Sequence, residues 1–276
     1  MGQRKLFCQQ NRLFYHISLR KEYLLRDIRF LCSGQRYAHA KKNEALPHVV
    51  KSHRSMALRE LPGVDMSLQH NKMTNLRLAA GKINGLVISP GEAFSFWKTV
   101  GPVTGKKGYL EGLTISGGKV TKGIGGGLCQ LANMIHWLVL NSPLTVTELH
   151  HHTDALFPDA QRRVPFGTGT SVFYKNVDYQ FKNATDQPVQ LLLWLEGADL
   201  CGELRSLHPY PCRYKITEED SRFVKEGEQY FRRSRVYRLV TDRQTETVLA
   251  RELILENRSR VLYDYSLIPP EQVREE

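Results

Sequence analysis

Gly125-Gly126-Gly127-Leu128-Cys129-Gln130-Leu131-Ala132-Asn133-Met134-Ile135-His136-Trp137-Leu138-Val139-Leu140 is the stretch whose reading organises the chain. Three consecutive glycines allow a tight, positive-φ path and expose backbone N–H groups. The run behind them is apolar on nearly every side, which predicts an interior helix. Cys129 then falls in its first turn, where unpaired N–H groups and the positive end of the dipole favour a thiolate. Cys129, Asn133 and His136 follow at i, i+4 and i+7, one polar stripe on an otherwise apolar helix. Two plainer readings stand beside this: a helical cysteine is often a small buried hydrophobe, and a glycine run can serve close packing. The loop lacks the Lys-Ser/Thr ending of a phosphate-binding P-loop.

Downstream, Glu148-Leu149-His150-His151-His152-Thr153 closes a strand expected over residues 144–149. On extended backbone His150 and His152 point to one face and His151 to the other. A cysteine at a helix start with an imidazole from a later strand is a common way to assemble a thiol–imidazole pair, an acid or amide orienting the ring. Cys129 is therefore the candidate nucleophile, His152 the proton carrier and Asp178 the orienter, with Asp154 a second carboxylate. Gly125, Gly126, Gly127, Gln130, Asn133 and His150 are the candidate substrate-binding residues. Gln130, the Cys129 N–H and the glycine amides would face an oxyanion. Solvated surface histidines are the bland alternative. A zinc site of Cys129, His150 and His152 is another, disfavoured because only the two histidines lie close in sequence. No cofactor is called for.

Upstream, residues 71–80 predict a helix with Met73, Leu76 and Ala80 on one stripe, ended by Gly81 or Gly85. Leu86-Val87-Ile88 reads as a short buried strand stopped by Pro90-Gly91. Pro47 and Pro62-Gly63 mark residues 43–70 as connecting structure. In the first 42 residues Leu13, Phe14, Ile17, Tyr23-Leu24, Ile28 and Leu31 recur at helical spacing among Arg and Lys, predicting one or two basic amphipathic helices. Packing on the domain is the preferred reading for them, and lying on an anionic leaflet the alternative. Further strands are expected over residues 113–116, 170–174, 179–182 and 189–195. From about residue 208, alternating runs at 235–240 and 248–255 flank the polar turn Thr241-Asp242-Arg243-Gln244, a hairpin pattern. The tail at Pro269-Pro270-Glu271 is expected to fray. The fold class is α+β: a helical N-terminal segment and linker (1–70), a central β-rich domain threaded by one buried helix (71–205), and a hairpin-rich extension (206–276).

Composition bounds the rest. The chain has 276 residues, 41% hydrophobic and 24% charged, with 21 Gly and 12 Pro, which excludes disorder, collagen and coiled coil as global descriptions. Thirty-nine basic against 28 acidic side chains leave +11, an excess that favours anionic partners and says nothing about fold. No helix-turn-helix, RNA-recognition or zinc-finger pattern accompanies it, so nucleic acid is not expected. The five cysteines are odd in number with no CxxC pair, which points to a reduced, intracellular setting. No apolar stretch of leader or spanning length is visible. The expected location is cytoplasmic, with the basic N-terminal helix as a route to the inner membrane surface.

Asn84-Gly85, Pro90-Gly91-Glu92-Ala93-Phe94-Ser95-Phe96, Val100-Gly101-Pro102, Gly108-Tyr109, the glycine–cysteine run, the histidine run and Phe181-Lys182-Asn183-Ala184-Thr185-Asp186 together resemble the VanW family. The resemblance covers about residues 71–195, and the basic start and the region from Glu226 to Tyr263 resemble its short form in glycopeptide resistance clusters. It implies an association with vancomycin resistance and a cell-wall peptide or precursor as partner, and it assigns no reaction. Gly125, Gly126, Gly127, Cys129, Gln130, His152 and Asp178 stand at positions of the family pattern. His150 matches many relatives but not the short form, and His136 is no family feature. Where relatives often read Asp-Ala-Thr this chain has Gly169-Thr170-Ser171, which leaves either Asp178 as the better carboxylate for a triad or no triad at all. Two functions follow. One is cysteine-dependent acyl transfer or amide hydrolysis on a wall peptide; the other is non-enzymatic binding of an anionic precursor through the glycine loop.

Overall fold

The computed structural model describes residues 11–59, 65–116, 119–151, 154–155, 158 and 164–275. Asn11 caps the first helix, α1 (Arg12–Cys32), its side chain accepting from the Phe14 N–H at 2.9 Å. Next come strand β1 (His48–Met56), helix α2 (Met66–Ile83), β2 (Leu86–Ile88), β3 (Ala93–Ser95) and the short α3 (Phe96–Val100). The hairpin β4 (Glu111–Ser116) and β5 (Lys119–Ile124) leads into α4 (Leu128–Leu140), followed by β6 (Thr145–Glu148) and β7 (Asp154–Ala155). Then β8 (Gln180–Lys182), β9 (Val189–Glu196), β10 (Asp199–Ser206), β11 (Cys212–Glu226), β12 (Gln229–Asp242), β13 (Val248–Val261) and β14 (Val273–Glu275) complete the chain. This is the α+β order expected: helices first, long strands last.

The core forms between helices α2 and α4 and the antiparallel sheet β1-β10-β9-β2. Leu191, Leu193, Leu200 and Leu204 of the sheet pack with Leu76, Ala80, Leu131 and Ile135 of the helices, all buried. Burying a side chain of this size is worth about 1.5–3 kcal/mol. Gly202 on β10 lets α4 come close, since a Cβ there would stand 3.1 Å from Met134. A smaller sheet, β3-β8-β6, stacks Phe94 on Phe181 with 5.0 Å between ring centres.

The long strands form the sheet β14-β11-β12-β13-β7. A second core lies under it: Ala155, Phe166, Phe223, Val261 and Ile268. Asp242 makes the β12–β13 turn by accepting from the Gln244 and Thr245 N–H groups at 2.9 and 2.8 Å. Strand β7, which follows the histidine run, pairs in parallel with Arg260 and Val261 of β13.

Several expectations need correction. α2 starts five residues before Asn71, because Asp65 supplies the N-cap, accepting from the Ser67 N–H at 2.8 Å. It continues through Gly81 and stops at Gly85, whose φ of +81° places a would-be Cβ 2.7 Å from the Lys42 carbonyl. The region read as connecting structure contains β1, which registers with β10 from His48 to Met56. Residues 170–174 form no ladder strand; a bridge between Phe173 and Val177 folds them into a turn. The tail does not fray: Ile268 is buried, and β14 pairs in parallel with Phe223 to Lys225 of β11.

Candidate functional site

The glycine loop is built for contact between backbones. Gly112 of β4 packs on Gly126, so closely that a Cβ on Gly126 would overlap the Gly112 backbone. Gly125 and Gly127 have φ of +79° and +95°, with Val103 and the Lys72 side chain in the space their own side chains would fill. Asn75, fully buried on α2, holds the loop: its Nδ2 donates to the Leu110 and Gly126 carbonyls, both at 3.0 Å. Its Oδ1 accepts from the Leu110 N–H at 2.8 Å. Close packing is thus one role of the three glycines. Gly127 is also the N-cap of α4, and no side chain caps that end, so first-turn N–H groups lack side-chain acceptors there.

Cys129 sits in the first turn of α4 as expected, with its Sγ 3.8 Å from the Val172 carbonyl. Burial raises the thiol above its ordinary value. Hydrogen bonds with the Val172 and Cys129 backbone oppose this and are the smaller effect, so the surroundings favour the thiol over the thiolate expected at a helix start. Asn133, one turn on, accepts the Thr170 N–H at 2.7 Å. Gln130 donates from Nε2 to Ser55 Oγ at 3.2 Å and to the Met56 carbonyl at 3.0 Å. An amide nitrogen carries two hydrogens, and here both are directed at β1. His136 is buried, its Nδ1 3.1 Å from the Tyr179 hydroxyl. Burial pushes it down to about 3, which keeps it neutral.

The other predicted residues gather elsewhere. His150 lies beyond the end of β6, and its Nε2 is 3.0 Å from Glu148 Oε1. The Ser171 N–H donates to the His150 carbonyl at 2.7 Å, so residues 170–172 run between the histidine segment and α4. His152 lies outside the described residues, and so does any distance from it to Cys129. Asp178 accepts from the Ser95 hydroxyl at 2.6 Å and from the N–H groups of Trp97 and Tyr179 at 3.1 and 2.9 Å, which ties it to the start of α3. Burial pushes Asp178 up to about 6, with the nearby Glu148 charge adding and those hydrogen bonds opposing. Asp154, in β7, faces Arg260 at 3.7 Å. Among the described residues no group of three or more His, Cys, Asp or Glu side chains could hold a metal ion.

Two residues that the sequence reading passed over organise these regions. Glu148 is the hub of the second one: both guanidinium nitrogens of Arg26 donate to it at 2.5 and 2.8 Å, and Gln180 donates at 2.7 Å. Burial would raise this carboxyl, but the Arg26 and His150 hydrogen bonds and the Arg26 charge hold it below its ordinary value. The hub lines a cavity of about 400 Å³ between α1 and β6 that Arg29, Phe30 and Tyr37 also line. Lys72 belongs to the glycine loop: its side-chain carbons cross Gly127. Burial pushes its ammonium down to about 8, and the neighbouring Arg59 charge pushes the same way. Among the described residues no carboxylate pairs with it. Arg59 in turn donates to the Met56 carbonyl at 3.2 Å, the same oxygen that Gln130 reaches. The start of α4 therefore carries a helix terminus and a lysine, with an arginine near enough to act on it, and no counter-anion to the lysine among the described residues.

Comparison with known proteins gives consistent findings. A family model described as "VanW like protein" matches residues 71–205. The chain is 30% identical over 227 residues to the Vancomycin B-type resistance protein VanW of Enterococcus faecalis, 82% of each chain being covered. It is also 30% identical over 161 residues to the uncharacterized protein YoaR of Bacillus subtilis, covering 58% of this chain and 52% of that protein. No solved structure matches significantly.

Proposed function

Because the chain belongs to the VanW family, we propose that it is an accessory protein of vancomycin resistance that binds the anionic end of a cell-wall peptide or its precursor at the glycine loop. The similarity to the Enterococcus faecalis protein supports the association with resistance. One observation carries the ligand class: the Lys72 side chain crosses the uncapped N-terminus of α4 within reach of the Arg59 charge, and among the described residues no carboxylate pairs with it. Repelling cations held near a positive helix end make a place for an anion, and a carboxylate accepting from all three would relieve the repulsion. The lowered lysine supports the same reading, since an arriving anion would restore its charge.

The test is calorimetric titration of the full chain with a wall stem peptide ending in a free carboxylate, and with the same peptide amidated. The carboxylate form binds and the amide does not. Lys72→Met weakens binding about 10-fold or more, the loss of a charge-assisted hydrogen bond, whereas Lys72→Arg keeps most of it. Cys129→Ala binds like the parent. Equal affinity of Lys72→Met and parent would overturn the reading.

A second reading, cysteine-dependent acyl transfer or amide hydrolysis, is favoured by the placement of Cys129 one residue into the same helix end. In it the thiol passes its proton to His152 and attacks the peptide carbonyl; the C–N bond breaks, the amine leaves with the proton from His152, and the Cys129 thioester passes its acyl group to water or to an acceptor amine. It predicts a cleaved or transferred product that the parent makes and Cys129→Ala does not.

A further inference from the structure

We infer that the outward face of α1 is a contact surface for an anionic lipid bilayer, on which the helix lies parallel to the membrane plane. The helix meets the body of the protein through a mixed side, ion pairs beside aromatic rings. Arg26, buried, donates to Glu148 at 2.5 and 2.8 Å and to the Asn176 carbonyl at 2.8 Å. Asp27 pairs with Lys175 at 2.5 Å, and Tyr23 and Phe30 pack edge-on against Tyr174 and Tyr37. Five apolar residues point the other way: Leu13, Ile17, Leu24, Ile28 and Leu31 are exposed by 65, 48, 62, 44 and 83%. At about 100° per residue these five fall within an arc of about 60°. A surface helix ordinarily buries its apolar stripe and wets its polar one; here the anchoring ion pair holds the helix the other way round.

Charge selects the occupant. Arg20 and Lys21, both exposed, flank the stripe on its two sides, and Arg29 is exposed as well. Neither of the helix's carboxylates lies in the stripe: Glu22 projects from the opposite side of the helix, and Asp27 is the one paired with Lys175. Cations beside an apolar stripe match a layer with phosphates outside and hydrocarbon inside. A second copy of the helix fits less well. With Ile17, Leu24 and Leu31 as one line of a heptad seam, charge interrupts the line on either side, at Arg20 and Asp27 in Leu13-Arg20-Asp27 and at Lys21 in Phe14-Lys21-Ile28. No described helix is long and apolar enough to cross a membrane, so the mode is surface contact. This inference is independent of the glycine loop.

The experiment is co-sedimentation of the full chain with phosphatidylglycerol/phosphatidylcholine vesicles and with phosphatidylcholine alone. The chain sediments with the anionic vesicles at 0.1 M salt, and raising the salt to 0.5 M releases it. Leu24→Ser with Ile28→Ser weakens binding at least ~10-fold, and Arg20→Gln with Lys21→Gln also ~10-fold or more, at about 5-fold per charge. Leu24→Trp, which keeps the surface apolar, gives a blue-shifted emission on anionic vesicles and none on neutral ones. Failure to sediment, equal binding to both vesicle types or unchanged binding by the variants overturns the proposal. A dimer in solution that the serine pair dissociates also overturns it and assigns the face to a second copy.

Discussion

At Cys129 burial and backbone hydrogen bonding act on the same proton in opposite directions, and burial prevails. Iodoacetamide at neutral pH should therefore label the exposed Cys32 of the native chain well before Cys129, with Cys129 reacting fully only in denaturant; mass spectrometry of the labelled peptides reads both. Asp178 gives a pH prediction. Its folded value is raised to about 6, so between about 4 and 6 the folded carboxyl keeps a proton that the unfolded chain releases. Stability from this group is fully present below the lower value and falls as pH rises, by about 1.4 kcal/mol per unit. Asp178→Asn can still accept the two N–H groups and donate to Ser95, so urea denaturation should find that slope removed. Gly126→Ala should cost about 3 kcal/mol, since neither backbone at that contact can yield. Cys129 and the glycines were legible because their meaning is local. Lys72 and Glu148 were not, because each takes its character from residues remote in the chain, Gly127 for one and Arg26 for the other.

Among the elements, α4 was readable from its unbroken apolar run, and β9, β12 and β13 from alternation and turn chemistry. Residues 170–174 have the composition of a strand but no edge to pair with: Thr170 and Ser171 spend their N–H groups on Asn133 and His150. Strand β1 was hidden by the prolines around it and by its half-exposed pattern, that of an edge strand. The docking of α1 depends on one guanidinium. Arg26→Ala strips Glu148 of its main partner, and breaking such a buried pair costs about 3 kcal/mol or more. The expected result is faster hydrogen exchange throughout residues 12–32, with α2 and α4 keeping their protection.

At the scale of the whole molecule, the order of helices and hairpins could be read but not the closing contacts. Asp154 meets Arg260 and Phe223 meets Val273, pairings that no local pattern announces. Ile268 plugs the small core beneath the long sheet. Ile268→Ala should destabilise that core by about 3 kcal/mol, seen as a lower melting temperature with early loss of strand signal while the environment of Trp97 in the main core persists. Covering strands β14 and β7 reach only a short way along β11 and β13: three residues of one and two of the other. Beyond them, among the described residues, no further strand pairs along the outer margins of the ribbon, over 212–222 on one side and 248–259 on the other. Arginines and glutamates stud these margins, and a neighbouring ribbon would have to strip their water to zip alongside. Those ionic side chains, with the breaks in register along the ribbon, guard against recruitment of further ribbons, so the far end of the hairpins is where a loss of charge would favour growth into a fibre.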